Sequence, residues 1–339
     1  MSATNRRIVL VSRPLGEPTV ENFRLETVAV PSVGPGQVLI RNHYLSLDPY
    51  MRGRMSDAKS YADPQPLGEV MIGGTAGEVV ASEHPGFAVG DQVAGFGGWQ
   101  EYSLIAGPGL VMLQKVDTRQ VPLSAYLGPV GMPGITAWFG LSKIIEPKPG
   151  ETVVVSAAAG AVGGVVGQLA KSRGCRAVGI AGGKDKCDYV VRELGFDACV
   201  DYKAAADAAA LDAMLAAVTP KGIDGYFENV GGMTTDVVLG RMNAFGRIAV
   251  CGMIAGYNGE PVPIKNPTVI LRSRLKMQGF IVFENPTMVP WAMSELAAQV
   301  ASGRLKYRET IAQGIENAPT AFLGLLKGKN VGKQLVKLV

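Results

Sequence analysis

Histidine and cysteine are scarce in this chain: among 339 residues there are two histidines, His43 and His84, and four cysteines, Cys175, Cys187, Cys199 and Cys251. Zinc asks for about four close Cys, His or carboxylate ligands. Neither histidine has a cysteine near it in sequence, so no metal site is expected. The cysteines are widely spaced and form no Cys-x-x-Cys pair, which argues against a disulfide framework and for buried, reduced thiols in a cytoplasmic protein. Charge is also sparse, with 18% of residues charged and a net charge of +4. No basic run is interleaved with aromatics, so nucleic acid is not an expected partner. The apolar run after Arg6 and Arg7 is short and broken by Arg13 and Pro14, so no secretory leader is expected.

What is present is apolar and turn-rich, with 47% hydrophobic residues and 44 glycines. The length exceeds the roughly 250 to 300 residues at which one hydrophobic core stops growing, so two domains are expected. Up to about residue 125 the chain reads as short strands separated by turn chemistry, "FRLETVAVP", "GQVLIRNHYLSL", "GGTAGEVVAS" and "GDQVAGFGGWQEYSLI". That pattern predicts an antiparallel, barrel-like β domain, residues 1–125, with residues 311–339 folding back onto it. Residues 126–310 instead alternate strand and helix. "TVVVSA", "CRAVGIAG", "DACVDY", "GIDGYFENVG", "GRIAVCGM" and "LKMQGFIV" are the strands. "AVGGVVGQLAKSRG", "KDKCDYVVRELG", an alanine-rich segment stopped by Pro220 and "PTMVPWAMSELAAQVASG" are the main helices between and after them. This order implies an α/β fold with a doubly wound parallel sheet.

The stretch Val153–Lys171, uncharged until its last residue, is long enough to raise the question of a membrane span. Its β-branched start, its central glycines and the helical and strand pattern around it exclude that reading. The remaining one is strand, glycine turn, helix. Ala158, Gly160 and Gly163 stand in the Gly-x-Gly-x-x-Gly positions, with Ala161 and Val162 between them. A diphosphate can approach backbone N–H groups at a helix N-terminus only where side chains are small or missing. At the end of the next strand, where a carboxylate would accept the ribose hydroxyls of NAD, the chain has Gly182-Gly183 followed by Lys184 and Lys186. A 2′-phosphate can enter there, so NADP(H) is the expected cofactor. Asp185 lies between the lysines and is available to cap the helix.

Five ordered blocks, "LSLDPYMRGRM" (45–55), "GMPGITAWFGL" (131–141), "SAAAGAVGGVVGQLAK" (156–171), "GYFENVGG" (225–232) and "GKNVGKQLV" (328–336), cover nearly the whole chain. In them the sequence resembles the zinc-independent branch of the medium-chain dehydrogenase/reductase superfamily that contains the prostaglandin and leukotriene reductases, and its curcumin-reducing bacterial members in particular. The resemblance implies a Rossmann nucleotide domain beside a GroES-like substrate domain. It also implies that Lys186 and Tyr202 grip the 2′-phosphate and that Asn229 lies beside the cofactor. Cys251 and Tyr257, from "CGMIAGYNG", would contact the cofactor, Tyr257 near the nicotinamide ribose. Phe280 and Val282 would offer backbone groups to the carboxamide, and Asn330 would close over the cofactor.

The reaction so implied is NADPH-dependent reduction of the carbon–carbon double bond of an α,β-unsaturated ketone or aldehyde, with hydride adding to the β-carbon. Tyr257 and Tyr50 are the candidate catalytic residues, Tyr257 either as hydrogen-bond donor to the enolate oxygen or as an aromatic that packs on the cofactor. Tyr50, Met51, Met55 and Met132 are expected to line an apolar substrate pocket, although Met55 and Met132 also suit ordinary core. A quinone reductase and a non-enzymatic NADPH-binding sensor are the competing readings. A homodimer through an edge strand such as "LKMQGFIV" is expected, with no membrane partner.

Overall fold

Residues 4–259 and 262–339 are described by the computed structural model; the first three residues of the segment read for a leader lie outside it. Contacts divide the chain into two units. One holds the chain up to Leu127 together with Glu309–Asn330 and Gln334–Val339, and the other holds Gly128–Arg308 with Val331–Lys333.

In the first unit β1 (Thr4–Leu10) and β2 (Phe23–Ala29) form an antiparallel ladder that sets Ile8 opposite Leu25 and Leu10 opposite Phe23. Strand β1 is not among the strands expected from the sequence, since its apolar run is short. Strand β3 (Val38–Ser46) leads into a one-turn helix, α1 (Tyr50–Arg54), and strands β4 (Thr75–Ser82), β5 (Gln92–Gly95), β6 (Tyr102–Ile105) and β7 (Gln114–Lys115) follow. All of their pairings with one another are antiparallel: β3 with β4 and β6, β4 with β5, and β5 with β7.

The second unit opens with α2 (Met132–Phe139). Strands β8 (Thr152–Ser156), β9 (Arg176–Ala181), β10 (Ala198–Asp201), β11 (Ile223–Glu228), β12 (Met242–Val250) and β13 (Lys276–Gly279) then alternate with helices α3 (Gly163–Ser172), α4 (Lys184–Arg192), α5 (Ala208–Val218), α6 (Met233–Gly240) and α7 (Thr268–Arg272), and α8 (Val289–Ala301) follows. The six strands are parallel in the order β10-β9-β8-β11-β12-β13. Strand β8 shows why its sequence is a continuous valine run. Val153 and Val155 enter a core with Val166, Leu169 and Leu296 on one face, and Val154 enters another with Leu211, Leu215 and Val238 on the opposite face. Each fully buried valine contributes about 1.5–3 kcal/mol by leaving water, so both faces of the strand are apolar. The alanine-rich helix starts later than its composition suggests. The Asp207 side chain accepts a hydrogen bond from the Ala210 N–H at 2.8 Å, and this cap sets the first turn of α5 at Ala208.

The tail returns to the first unit through β14 (Glu309–Gln313), helix α9 (Ala318–Leu326) and β15 (Lys333–Lys337), which pairs antiparallel with β3. Helix α9 lies where the sequence reads only as strand-like tail. Phe322 on α9 is fully buried and meets Phe23 and Trp99 edge-on at 6.3 and 5.7 Å. The fold is α/β: a doubly wound Rossmann sheet and a separate GroES-like unit.

Candidate active site

In the strand order β10-β9-β8-β11-β12-β13 the winding reverses between β8 and β11, and ligands of such sheets bind outside the carboxyl ends of the strands at that reversal. There the chain leaves β8 through Ala157, whose φ of +51° turns it sharply. The Gly160 N–H closes the turn on the Ala157 carbonyl at 2.9 Å, and the Gly332 N–H donates to the Ala159 carbonyl at 2.8 Å. Helix α3 starts at Gly163, where a Cβ would sit 2.4 Å from the Ala157 oxygen and 2.9 Å from the Ala158 Cα. No side chain fits, so the helix and the turn approach closely. No side chain caps the N-terminus of α3, and its Gly164 and Val165 N–H groups already donate to the Gly160 and Val162 carbonyls at 3.0 Å. Ala158 is buried, and Ala161 and Val162 are half-buried at the mouth of the turn. Helix α3 therefore begins two residues after Ala161, where the sequence reading placed its start.

A second group of residues converges at the ends of β9 and β10. A Cβ on Gly182 would lie 2.9 Å from the Tyr202 ring and 3.0 Å from the Lys203 Cε, so the missing side chain makes room for both. Lys186 is half-buried on α4, and its amine is held below the usual lysine range by burial and then by the positive charge of Lys203. Asp201 accepts from the Gly183 N–H at 2.7 Å and the Lys203 N–H at 3.0 Å, tying the two segments together. Lys203 is a cation the sequence reading missed. Its only signal is its place next to Tyr202. Lys184, expected to share in neutralising the phosphate, instead pairs with Asp188 one turn along α4 at 2.5 Å and is 78% exposed. Asp185 does not cap the helix: that position belongs to Gly183, φ +100°, and Asp185 sits in the first turn.

At the ends of β11 and β12 the Asn229 N–H donates to the Ser156 hydroxyl and its side-chain amide to the Ser156 carbonyl, both at 2.8 Å. Beside it Glu228, 1% exposed, accepts from the Ser156 hydroxyl at 2.9 Å, the Tyr226 hydroxyl at 2.8 Å, the Val230 N–H at 2.5 Å and the Gly231 N–H at 3.0 Å. The Thr235 hydroxyl donates to it as well. A buried carboxylate with so many donors is a rigid joint. Neither Glu228 nor Ser156 was singled out from the sequence, and the signal was an acid inside the apolar run "GYFENV". The Cys251 N–H donates to the Glu228 carbonyl at 2.9 Å. Burial, and then the nearby Glu228 charge, push the Cys251 thiol up to about 12, so it stays protonated at neutral pH.

The Tyr257 hydroxyl lies 3.1 Å from the place a Cβ on Gly252 would occupy, just beyond β12. Phe280 packs against Phe139 and Phe227, with ring centroids at 5.5 and 6.2 Å. The Val282 side chain is buried in the core, and its carbonyl accepts from the Asn285 N–H at 3.3 Å. Met132 opens α2 half-buried against the same core.

In the first unit Tyr50 begins α1, and its hydroxyl, sealed from solvent, has no hydrogen-bond partner among the described residues. Burial, and then the Asp48 charge, push its ionisation far above the usual tyrosine range. Met51 and Met55 have no exposed surface and pack with Ile8, Leu10, Trp99 and Phe322. That burial corrects the expectation that they face substrate, since they are core. Asn330 is half-buried in the segment before β15. His84 accepts from the Gly86 N–H at 3.0 Å within a turn, and among the described residues no three His, Cys, Asp or Glu side chains gather as a metal site would.

The family described as the N-terminal domain of oxidoreductase matches residues 6–113, and that described as zinc-binding dehydrogenase matches residues 161–298. The described residues do not supply the ligand cluster that the second description names. The chain is 49% identical to the NADPH-dependent curcumin reductase of Escherichia coli, covering 98% of this chain and 97% of that one. It is 43% identical to prostaglandin reductase 1 of Rattus norvegicus, covering 95% of each. The solved structure of CurA from Vibrio vulnificus in complex with NADPH superposes with a TM-score of 0.91 at 46% identity, covering 98% of this chain and 99% of that one. Likeness of this extent, over both units, places the chain in the zinc-independent medium-chain dehydrogenase/reductase family, in its prostaglandin reductase branch.

Proposed function

We propose that this protein is an NADPH-dependent reductase of the carbon–carbon double bond of α,β-unsaturated ketones and aldehydes, and that its own residues divide the work as follows. The turn Ala158–Gly163 receives the cofactor diphosphate on the amides of Ala161, Val162 and Gly163. Lys186, Tyr202 and Lys203 hold the 2′-phosphate, and the backbone at Phe280 and Val282 orients the carboxamide. Asn229, Cys251 and Asn330 complete the cofactor contacts. NADPH, when bound, supplies the hydride that adds to the β-carbon of the substrate. Charge then moves to the carbonyl oxygen as an enolate. The Tyr257 hydroxyl donates a hydrogen bond to that oxygen, and a proton from water reaches the α-carbon. Tyr50 contacts substrate through its unpartnered hydroxyl, with Met132 as an adaptable apolar neighbour of the reacting groups. No step passes through a metal.

The observation that supports the cofactor assignment is that Lys203 and Tyr202 pack against the side-chain-free Gly182 while Lys186 lies near enough to Lys203 to feel its charge, because two cations held near one another favour an anion between them. The substrate assignment rests on the relatives, which are named for reducing curcumin and prostaglandins. A homodimer is part of the proposal: β13 is an edge of the parallel sheet, and Leu271 just before it is 79% exposed. So is a cytoplasmic location. Among the described residues no helix is long and apolar enough to cross a membrane. Consumption of NADPH by the purified protein with an enone, a 2-alkenal and a quinone tests the reading. Turnover of the first two is expected. Turnover of the quinone alone would replace it with a quinone reductase, and NADPH binding without any turnover would replace it with a sensor.

A further inference from the structure

Cys187 on α4 and Cys199 on β10 bring their sulfurs to 3.1 Å of each other. Both are free thiols and both are only partly buried, so a small oxidant can reach them. Gly179 on the neighbouring strand makes room for the Cys199 sulfur, since a Cβ there would lie 3.2 Å from it. We propose that Cys187 and Cys199 form a redox-active pair that closes to an intramolecular disulfide under hydrogen peroxide and lowers the affinity for NADPH.

A disulfide has its sulfurs at about 2.05 Å, so closure asks for an approach of about 1 Å. The Cys199 thiol donates to the Cys187 sulfur. This contact holds the Cys187 thiol below the usual cysteine range, and it raises Cys199 together with burial. Cys187 is therefore the attacking sulfur. Its thiolate forms an S–O bond as the O–O bond of peroxide breaks, leaving a sulfenic acid and a hydroxide that takes up a proton. The Cys199 sulfur, giving up its proton, then attacks the Cys187 sulfur. The S–S bond forms, the S–O bond breaks, and the second oxygen leaves as water. Two electrons pass from the thiols to one peroxide, which becomes two waters.

The position of the pair gives the bond its consequence. Cys187 follows Lys186, and Cys199 precedes Asp201, Tyr202 and Lys203 on β10 and the turn after it. Closing the bond draws the first half of α4 toward β10 and disturbs the separation of Lys186 from Tyr202 and Lys203. This effect on affinity rests on the proposal that those residues hold the 2′-phosphate, whereas formation of the bond does not.

The test treats the full-length protein with hydrogen peroxide, digests it without reductant and maps the peptides by mass spectrometry, with NADPH and NADH binding measured on the same samples. A linked Cys187–Cys199 peptide is expected, lighter by two hydrogens and released by a dithiol. Cys187→Ser and Cys199→Ser should each abolish it, and NADPH affinity should fall several-fold in the oxidised wild type while NADH affinity holds. Sulfinic acid on either residue, a link to Cys175 or Cys251, or no linked peptide would overturn the proposal. A linked peptide with unchanged NADPH affinity would overturn its regulatory half. If the reduced wild type shows no preference for NADPH over NADH, the phosphate assignment fails and the peptide result is read independently of it.

Discussion

Lys186→Ala removes one cation from the corner formed by Gly182, Tyr202 and Lys203, and its effect can be worked from what remains there. A hydrogen bond to a charged group is worth about 1.5–3 kcal/mol. The lysine is half-buried and its amine is held down by burial and by Lys203, so part of the gain on binding phosphate is offset by the cost of keeping two cations together. The variant is relieved of that repulsion, and Lys203 still meets the phosphate. The net loss should lie toward the lower end, about 1.5–2 kcal/mol, which at 1.4 kcal/mol per decade is a rise of roughly ten- to thirtyfold in KM for NADPH. The reacting carbon is remote from this corner, so kcat should hold. NADH lacks the phosphate, and its KM should change by less than about twofold on the same reasoning. Steady-state rates with one enone and both cofactors, at constant ionic strength, measure these quantities. An equal loss with NADH would mean that Lys186 supports the fold of α4 and not the phosphate. No loss with either cofactor would move the site elsewhere.

Tyr257→Phe should lower kcat by about a hundredfold, the scale of one lost donor to a developing oxyanion, with little change in KM for NADPH; an unchanged kcat would reduce Tyr257 to a packing aromatic. Burial and Lys203 hold the Lys186 amine low, and a bound 2′-phosphate must raise it, so the complex binds more protons than the protein without cofactor. NADPH, unlike NADH, should then take up protons at alkaline pH and lose affinity as pH rises through the lowered Lys186 value. Calorimetry in two buffers of different ionisation enthalpy checks this, and an equal dependence of the heat on the buffer for the two cofactors would refute it. Gly167→Ala would drive a Cβ to within 1.8 Å of the Phe196 ring. Overpacking of this kind costs about 1–3 kcal/mol, and a urea midpoint equal to the wild type's would show that the ring steps aside freely.

Much of this protein is written in short-range pattern. The valine run of β8, the glycine turn after it, the glycines that end α3 and α4 and the proline beyond α5 act over a few residues each, so the alternation of strand and helix, and with it the doubly wound sheet, can be read from the chain. The preference for NADPH is legible for the same reason, since Gly182 stands where a carboxylate would oppose a phosphate. Other features depend on which strands become neighbours. Lys184 and Lys186 look equivalent in sequence, but the helix turns Lys184 toward Asp188, while the pairing of β10 with β9 brings Lys203 to Gly182. Met51 and Met55 look like pocket methionines until β1, Trp99 and α9 close over them. Cys187 and Cys199, twelve residues apart, meet only because β10 lies under α4. Local propensity acts through bonds and turns within a few residues, whereas the surroundings of a side chain are decided by packing between segments that are distant in sequence, and only the tertiary structure holds those distances.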